Sequence, residues 1–502
     1  METSERRRSL LVFGLAWLAL ALLTALWSFA TPVGAAPDEP AHLVKAASVA
    51  RGQLIGTTGD NGQIVQVPKY IAFTHAQTCY AFDGEITADC IPEITGDPAE
   101  IVDASTTAGL YNPLYYAVVG WPSLIAHDES GIFAMRIVSG VITSGFLALG
   151  FALLSRWRRP LLPLFGYLAA VTPMVLFLSG TVNPNSLEIA ATLAAFVAVL
   201  TVVRGTGDPG WPLPIIVLVS AAVAANMRGL SLLWLAIALL APFGLVGLKR
   251  IRELLRSRSV QVALVTTAVA AVAALIWLLS SNSLGGAIQS DEPVTNAPGV
   301  GTSPILGFLW TLTSTFLYGQ ELVGLFGWLD TPAPDAVFFV WSVLIGAGLL
   351  AGFVLLRGRA LLVTIGLAAG VVVLPAILAG IYISEGGVIW QGRYILPVFV
   401  CLMIALGAGL GDALELDPTT ARRLAWIVVV AWAAAQWVSF AWTLKRYTSG
   451  LDSGWLELLS PRWSPPGGVI LLMLLYLAVV AAAGLALLFL LRRRATSPVL
   501  IS

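Results

Sequence analysis

Two carboxylates stand side by side at Asp38 and Glu39, boxed by Pro37 and Pro40, and His42 follows one helical turn after Asp38. A carboxylate partly withdrawn from water has a raised pKa and can take a proton from a hydroxyl, so Asp38 is a candidate base, with Glu39 its neighbour or substitute. Acids at the start of a helix can also simply complement its dipole, with Pro40 in the first turn. His42 is placed to orient Asp38, to bind a substrate, or to sit as a solvated helix residue. A divalent cation would find three neighbouring ligand types in Asp38, Glu39 and His42, but three neighbours in one stretch do not make a coordination site.

The second chemistry-bearing stretch is SEGGVIWQGRYILP, Ser384–Pro397. Arg393 enters an apolar run at its external end. A cation there adds to the positive end of a helix dipole, which favours an anion, and a guanidinium fork suits phosphate. The alternative is an arginine snorkelling to the membrane interface. Gln391 is a further candidate contact, and Tyr394 and Trp390 fit stacking on a sugar ring or an aromatic belt. Arg228, in ANMRGL between two short apolar runs, is a second candidate anion ligand. Glu188 in NPNSLEIA has, with Asn185, the spacing of a helix capping box. The segment Phe316–Pro334 carries Tyr318, Gln320, Glu321, Trp328 and Asp330. It lines an external groove, with Glu321 and Asp330 as substrate contacts, or it is an ordinary interfacial helix ending in an Asp-Thr-Pro turn.

These residues must be positioned by membrane helices. Of 502 residues, 58% are hydrophobic and 11% charged, more apolar surface than a water-soluble fold of this length can bury. The expected class is an all-α polytopic membrane protein. Windows of about twenty apolar residues place roughly twelve spans, near 10–30, 133–154, 161–179, 187–203, 212–225, 230–248, 260–280, 336–356, 360–382, 394–411, 424–442 and 467–491. The first is read as a retained helix rather than a signal peptide, being longer than a usual signal core.

Charges orient the chain. With the N-terminus inside, 19 of the 28 Lys and Arg fall on the cytoplasmic side and 21 of the 28 Asp and Glu on the other. That bias predicts cytoplasmic termini and a multi-pass protein of the plasma membrane. Zero net charge argues against a nucleic-acid partner. The chain reads as one transmembrane module, 1–502, with external loops at 31–132 and 281–335. Within the first loop, Tyr111–Ala126 is apolar but short and broken by Pro113 and Pro122, an interfacial or re-entrant helix. Cys79 and Cys90, in the same loop, are a plausible disulfide on an oxidising face; Cys401 lies in an apolar run.

The acidic pair just after the first helix resembles that of the polytopic GT-C glycosyltransferases. YNPLYYAVV followed by AMRIVSGV is similar to a region of those enzymes, and NPNSLEI resembles their Asn-Pro-Asp-x-Leu element. More narrowly, PDEPAH, FGWLDTPAP and QGRYILP, in that order, resemble the bacterial membrane family known as domain of unknown function 2142. The resemblance spans about Leu10 to Leu491. It implies a sugar donor on a polyprenyl phosphate, a lipid-linked or polysaccharide acceptor of the cell envelope, and transfer on the non-cytoplasmic face with inversion, Asp38 being the base. The other readings are a transporter or flippase of a lipid-linked glycan, and a non-catalytic scaffold of envelope assembly.

Overall fold

The computed structural model describes residues 2–60, 62–283 and 298–496. Part of the second external loop, 284–297, lies outside the described residues. The first helix, α1 (Glu2–Ala30), leads into a segment holding α2 (Glu39–Ala50), α3 (Lys69–Ala72) and α4 (Pro113–Gly120). The bundle continues with α5 (Ser130–Ser155), α6 (Leu161–Ala170), α7 (Pro173–Ser179), α8 (Pro184–Arg204), α9 (Pro212–Ala225) and α10 (Ser231–Leu240). Then come α11 (Leu248–Arg256), α12 (Arg258–Ser280), α13 (Pro304–Thr313) and α14 (Thr315–Gly324). The last five are α15 (Asp335–Leu355), α16 (Gly358–Gly386), α17 (Leu396–Ala413), α18 (Pro418–Ser449) and α19 (Val469–Thr496).

Among the described residues, nine helices are long and apolar enough to cross a membrane, or up to eleven spans exist if each of two bent pairs counts as one. The expected count of twelve is therefore corrected. Every predicted segment carries helix, but α9 has only 14 residues, short of the roughly twenty a bilayer requires. The predicted sixth span is one of the bent pairs: after residue 245 the chain turns by 118° into α11.

Helices α8 and α17 are buried along nearly their whole length and form the centre, whereas α12 and α15 turn most of their apolar surface outward. Small residues set the closest approach. A Cβ on Gly166 of α6 would lie 2.3 Å from the Met403 carbonyl oxygen, and one on Gly407 of α17 would lie 2.5 Å from that of Leu162. Membrane helices pack through such backbone contacts because lipid supplies no hydrophobic drive between them.

The bend between α6 and α7 is 61° and frees backbone groups at membrane depth. Gln436 Nε2 donates to the Val171 carbonyl at 2.9 Å, with Trp432 Nε1 adding a longer bond at 3.3 Å. Thr172 caps α7 and donates its hydroxyl to the Leu322 carbonyl at 2.7 Å. Broken helices survive in a membrane only when their loose polar groups find partners in this way.

Outside the bundle, β1 (Thr57–Gly59), β2 (Gly62–Pro68) and β3 (Ile101–Thr106) form an antiparallel sheet with β2 in the middle. Val65 and Val67 point inward with the period of a half-buried strand, into the apolar cluster that also holds Leu43 and Val44 of α2. Tyr115, Tyr116 and Val119 of α4 join that cluster, while Leu114, Val118 and Trp121 remain exposed on the opposite side. Cys79 and Cys90 are bridged, with Cα atoms 6.1 Å apart.

Candidate functional site

The turn before α2 is held mostly by partners from elsewhere in the chain. Arg136 of α5 donates to the Thr31 and Pro32 carbonyls at 2.9 and 2.7 Å. Tyr80 donates to Val33 O at 2.6 Å, Trp328 to Gly34 O at 2.9 Å, and Tyr447 to Ala35 O at 3.4 Å. Ala36 O accepts from the Glu39 amide, and Pro37 O accepts from Asn183 Nδ2 at 3.2 Å and Arg393 Nη1 at 3.5 Å. Every carbonyl from Thr31 to Pro37 is thus used, as buried backbone requires.

Asp38 occupies the cap position of α2 with φ of +64°, a left-handed conformation that Asp tolerates better than most residues. Its side chain makes no capping hydrogen bond. Instead Oδ2 meets Arg393 Nη2 at 2.5 Å, with the arginine side chain wholly buried and the Asp38 side chain 44% exposed. The helix-cap reading of Asp38 fails for that reason: the carboxylate faces a cation and an opening. The expected upward pKa shift is also corrected. Burial by itself would raise it, but the charges of Arg393 and Arg228 outweigh burial and hold the carboxyl below its usual range.

Glu39, expected as the neighbour or substitute of Asp38, does not share its exposure. It is fully buried, and both its oxygens are taken by Arg136, at 2.7 Å from Nε and 2.6 Å from Nη2. One of them also accepts from the Val182 amide at 3.0 Å. His42 is buried rather than solvated, with Nδ1 2.9 Å from the Tyr116 hydroxyl. Burial pushes its pKa down to about 3, so the ring is neutral at physiological pH. Asp38, Glu39 and His42 therefore do not converge on one point, and among the described residues no cluster of three His, Cys, Asp or Glu is arranged to hold a metal ion.

Arg393 sits in a 3-10 turn, Gly392–Ile395, that opens α17. Its Nη2 also lies 3.5 Å from the Tyr394 hydroxyl. The ring of Tyr394 stands between two guanidiniums, 5.3 Å from Arg393 Cζ and 4.8 Å from Arg228 Cζ. Arg228 also faces Tyr111, at 6.0 Å from the ring centroid. Glu321 of α14 accepts from the Gly392 amide and so fixes that turn. Burial pushes Glu321 up to about 7, against the Gly392 N–H and Arg393, which pull it down.

Asn185 and Glu188 do not form a capping box. Asn183 caps α8, accepting from the Asn185 amide at 3.0 Å. Asn185 instead accepts from Arg228 Nη1 and donates to Glu188 Oε2 at 3.1 Å, while Ser231 donates to Glu188 Oε1 at 2.5 Å. This ring of contacts aims Arg228 at the site.

Four polar atoms around this cleft are buried without a protein partner: His42 Nε2, Trp390 Nε1, Gln391 Oε1 and Arg393 Nε. Buried polar groups are normally paired, so their concentration here marks a place for a polar ligand. Asp330 does not belong to the cleft contacts. It pairs with Arg446 at 3.1 Å and accepts from the Phe82 amide at 2.9 Å. Arg446 is fully buried and also holds the carbonyls of Tyr80, Asp83 and Ile86.

Sequence reasoning passed over Arg136 and Arg446, the two buried arginines that hold the frame. The signal was present in AMRIV and TLKRY: an arginine beside or within an apolar run needs a partner acid.

No curated protein matches the chain. Among solved structures, it is similar to ArnT from Cupriavidus metallidurans, determined bound to undecaprenyl phosphate, with 14% identity and a TM-score of 0.45, over 95% of this chain and 76% of that one. The family of predicted membrane proteins called DUF2142 matches residues 20–402, most of the chain, with both the acidic turn and Arg393 inside the match. The chain is a member of the DUF2142 membrane protein family.

Proposed function

We propose that this protein is a membrane glycosyltransferase that moves a sugar from a polyprenyl-phosphate donor to a hydroxyl of a cell-envelope acceptor, on the extracytoplasmic side and with inversion. One observation carries the reading. A half-exposed carboxylate, Asp38, touches a buried arginine, Arg393, whose Nε has no partner, and a second arginine, Arg228, lies across the Tyr394 ring. A base beside a doubly cationic anion site is what transfer from a lipid phosphate requires.

In the reaction the acceptor O–H gives its proton to Asp38 as its oxygen attacks the anomeric carbon. The bond from that carbon to the phosphate oxygen breaks, and its electron pair leaves with the phosphate. The departing polyprenyl phosphate gains one negative charge, which the buried Arg393 and the half-buried Arg228 stabilise. Before the donor arrives, Arg393 is occupied by Asp38. A donor phosphate draws the guanidinium toward itself, and the Asp38 carboxylate, losing part of its counter-charge, becomes a stronger base. Glu39 positions Asp38 through Arg136 and takes no part in proton transfer.

The test is Asp38→Asn, because Asn also accepts a left-handed backbone. The purified, reconstituted full chain is given polyprenyl-phosphate-linked sugars extracted from host membranes. Sugar transfer is expected to fall by about 10²- to 10⁴-fold while the lipid donor is still retained. A transporter or a scaffold would be little affected, and unchanged turnover overturns the proposal.

A further inference from the structure

At the opposite, arginine-rich end of the bundle lies a cavity of about 880 Å³, within the range of small-molecule sites. Four parts of the chain meet there: the α5–α6 turn, the end of α17, the start of α18 and the end of α19. Five arginines line it, Arg158, Arg159, Arg422, Arg423 and Arg492, against one acid, Glu415. Glu415 is taken by Arg159. The nearby Asp417 is turned to cap α18, accepting from the Thr419 and Thr420 amides at 3.0 Å. Arg158, Arg422 and Arg423 are exposed and none makes an ion pair or hydrogen bond with the rest of the described chain. The remaining wall is apolar: Leu161, Leu488 and Leu491 line it together with Trp426, which is 41% exposed beside the outward-facing Ile427 and Val430.

We infer that this cavity binds the phosphodiester headgroup of an anionic lipid from the leaflet at that end, with the acyl chains lying along Trp426 and the outward face of α18. Charge complementarity selects an anion, since unpaired arginine forks are the preferred partners of phosphate oxygens. The apolar wall that continues onto an outward-facing helix surface selects a lipid over a soluble phosphate. Basic recesses between membrane helices on the positively charged side are suited to such headgroups. The inference concerns the far end of the molecule from Asp38 and stands whether or not sugar transfer is the reaction.

The test uses the full chain in mild detergent with phosphatidylglycerol and phosphatidylcholine as probes, bound lipids being counted by native mass spectrometry. The triple variant Arg158→Gln, Arg422→Gln, Arg423→Gln is compared with Arg252→Gln, Arg256→Gln, Arg258→Gln, which removes the same charge from the same end outside the cavity. At about fivefold per arginine, the first is expected to lose roughly a hundredfold in phosphatidylglycerol affinity while the second stays near wild type. Equal losses in both variants, or none in the first, overturn the inference, as does displacement of the lipid by excess inorganic phosphate. A photoreactive phosphatidylglycerol on the wild-type protein gives a readout that needs no variant. Adducts are expected on α18 and α19, and adducts confined elsewhere overturn it.

Discussion

Glu39 grips Arg136 with both carboxylate oxygens in a fully buried pair, while Asp38, its neighbour in the chain, reaches across 355 residues of sequence to Arg393. Two adjacent acids therefore have opposite fates. One is locked between a helix and a turn, and the other is left half open to the cleft.

The Glu39–Arg136 pair is expected to be a structural dependency. Glu39→Gln or Arg136→Gln alone leaves a buried charge uncompensated, which costs about 3–5 kcal/mol. Folded yield in detergent, read by size-exclusion chromatography and thermal unfolding, should drop sharply for each. The double variant Glu39→Gln, Arg136→Met should recover part of the loss. Full stability in either single variant would refute the assignment.

Arg393 should separate charge from geometry. Arg393→Gln removes the cation that holds Asp38 low, so the acid limb of a pH–activity profile should move to higher pH, and donor affinity should fall about tenfold to a hundredfold. Arg393→Lys keeps charge but loses the fork, so the profile should stay nearer wild type while affinity falls. Profiles that coincide for both variants would count against Asp38 as the titrating group.

Glu321 predicts a pH dependence of stability. Its pKa in the fold, about 7, lies above the ordinary value of 4.5, so between these limits the folded protein holds more protons than the unfolded chain. The stabilisation from this group is complete below 4.5 and is lost as the pH rises through 7, an effect on the order of 3 kcal/mol. Thermal unfolding across that interval should show the decline in wild type and a flatter curve in Glu321→Gln. Identical curves would remove Glu321 as the source.

Tyr394 should matter modestly and through Arg228. Tyr394→Leu keeps bulk but removes the ring face, costing about 0.5–2 kcal/mol of arginine placement. Donor affinity should weaken up to about thirtyfold, with less change in Tyr394→Phe. A larger loss in Tyr394→Phe than in Tyr394→Leu would show that the hydroxyl, rather than the ring, matters.

The membrane makes some of this architecture readable. A bilayer sorts apolar residues by length, so most of the spans, the shortness of the helical stretch within Tyr111–Ala126 and the positions of Asp38 and Arg393 at helix ends could be taken from residue order. Pairing is different. Whether Asp330 faced a groove or Arg446 depends on where α18 docks 116 residues later, and neither residue carries a local mark of the other. His42 looked solvated for the same reason, because Tyr116 is brought over it only when α4 packs on α2. For α9 the bounds 212–225 were legible and match the helix, and only its counting as a full span fails, because 14 residues are too few to cross a bilayer.

The seven carbonyls ahead of Asp38 have consequences for how the site is held. Among their partners the Glu39 amide is local; the distant ones come from Tyr80, α5, the segment before α8, the β4 (Leu325–Phe326) and β5 (Thr331–Pro332) hairpin, the approach to α17 and the end of α18. Asp38 precedes nearly all of these partners in the chain, so the full set of contacts on its turn is complete only when Tyr447 of α18 is in place. The geometry around Asp38 is thereby tied to the docking of both α5 and α18, since displacing either would leave a buried carbonyl of the turn without its partner.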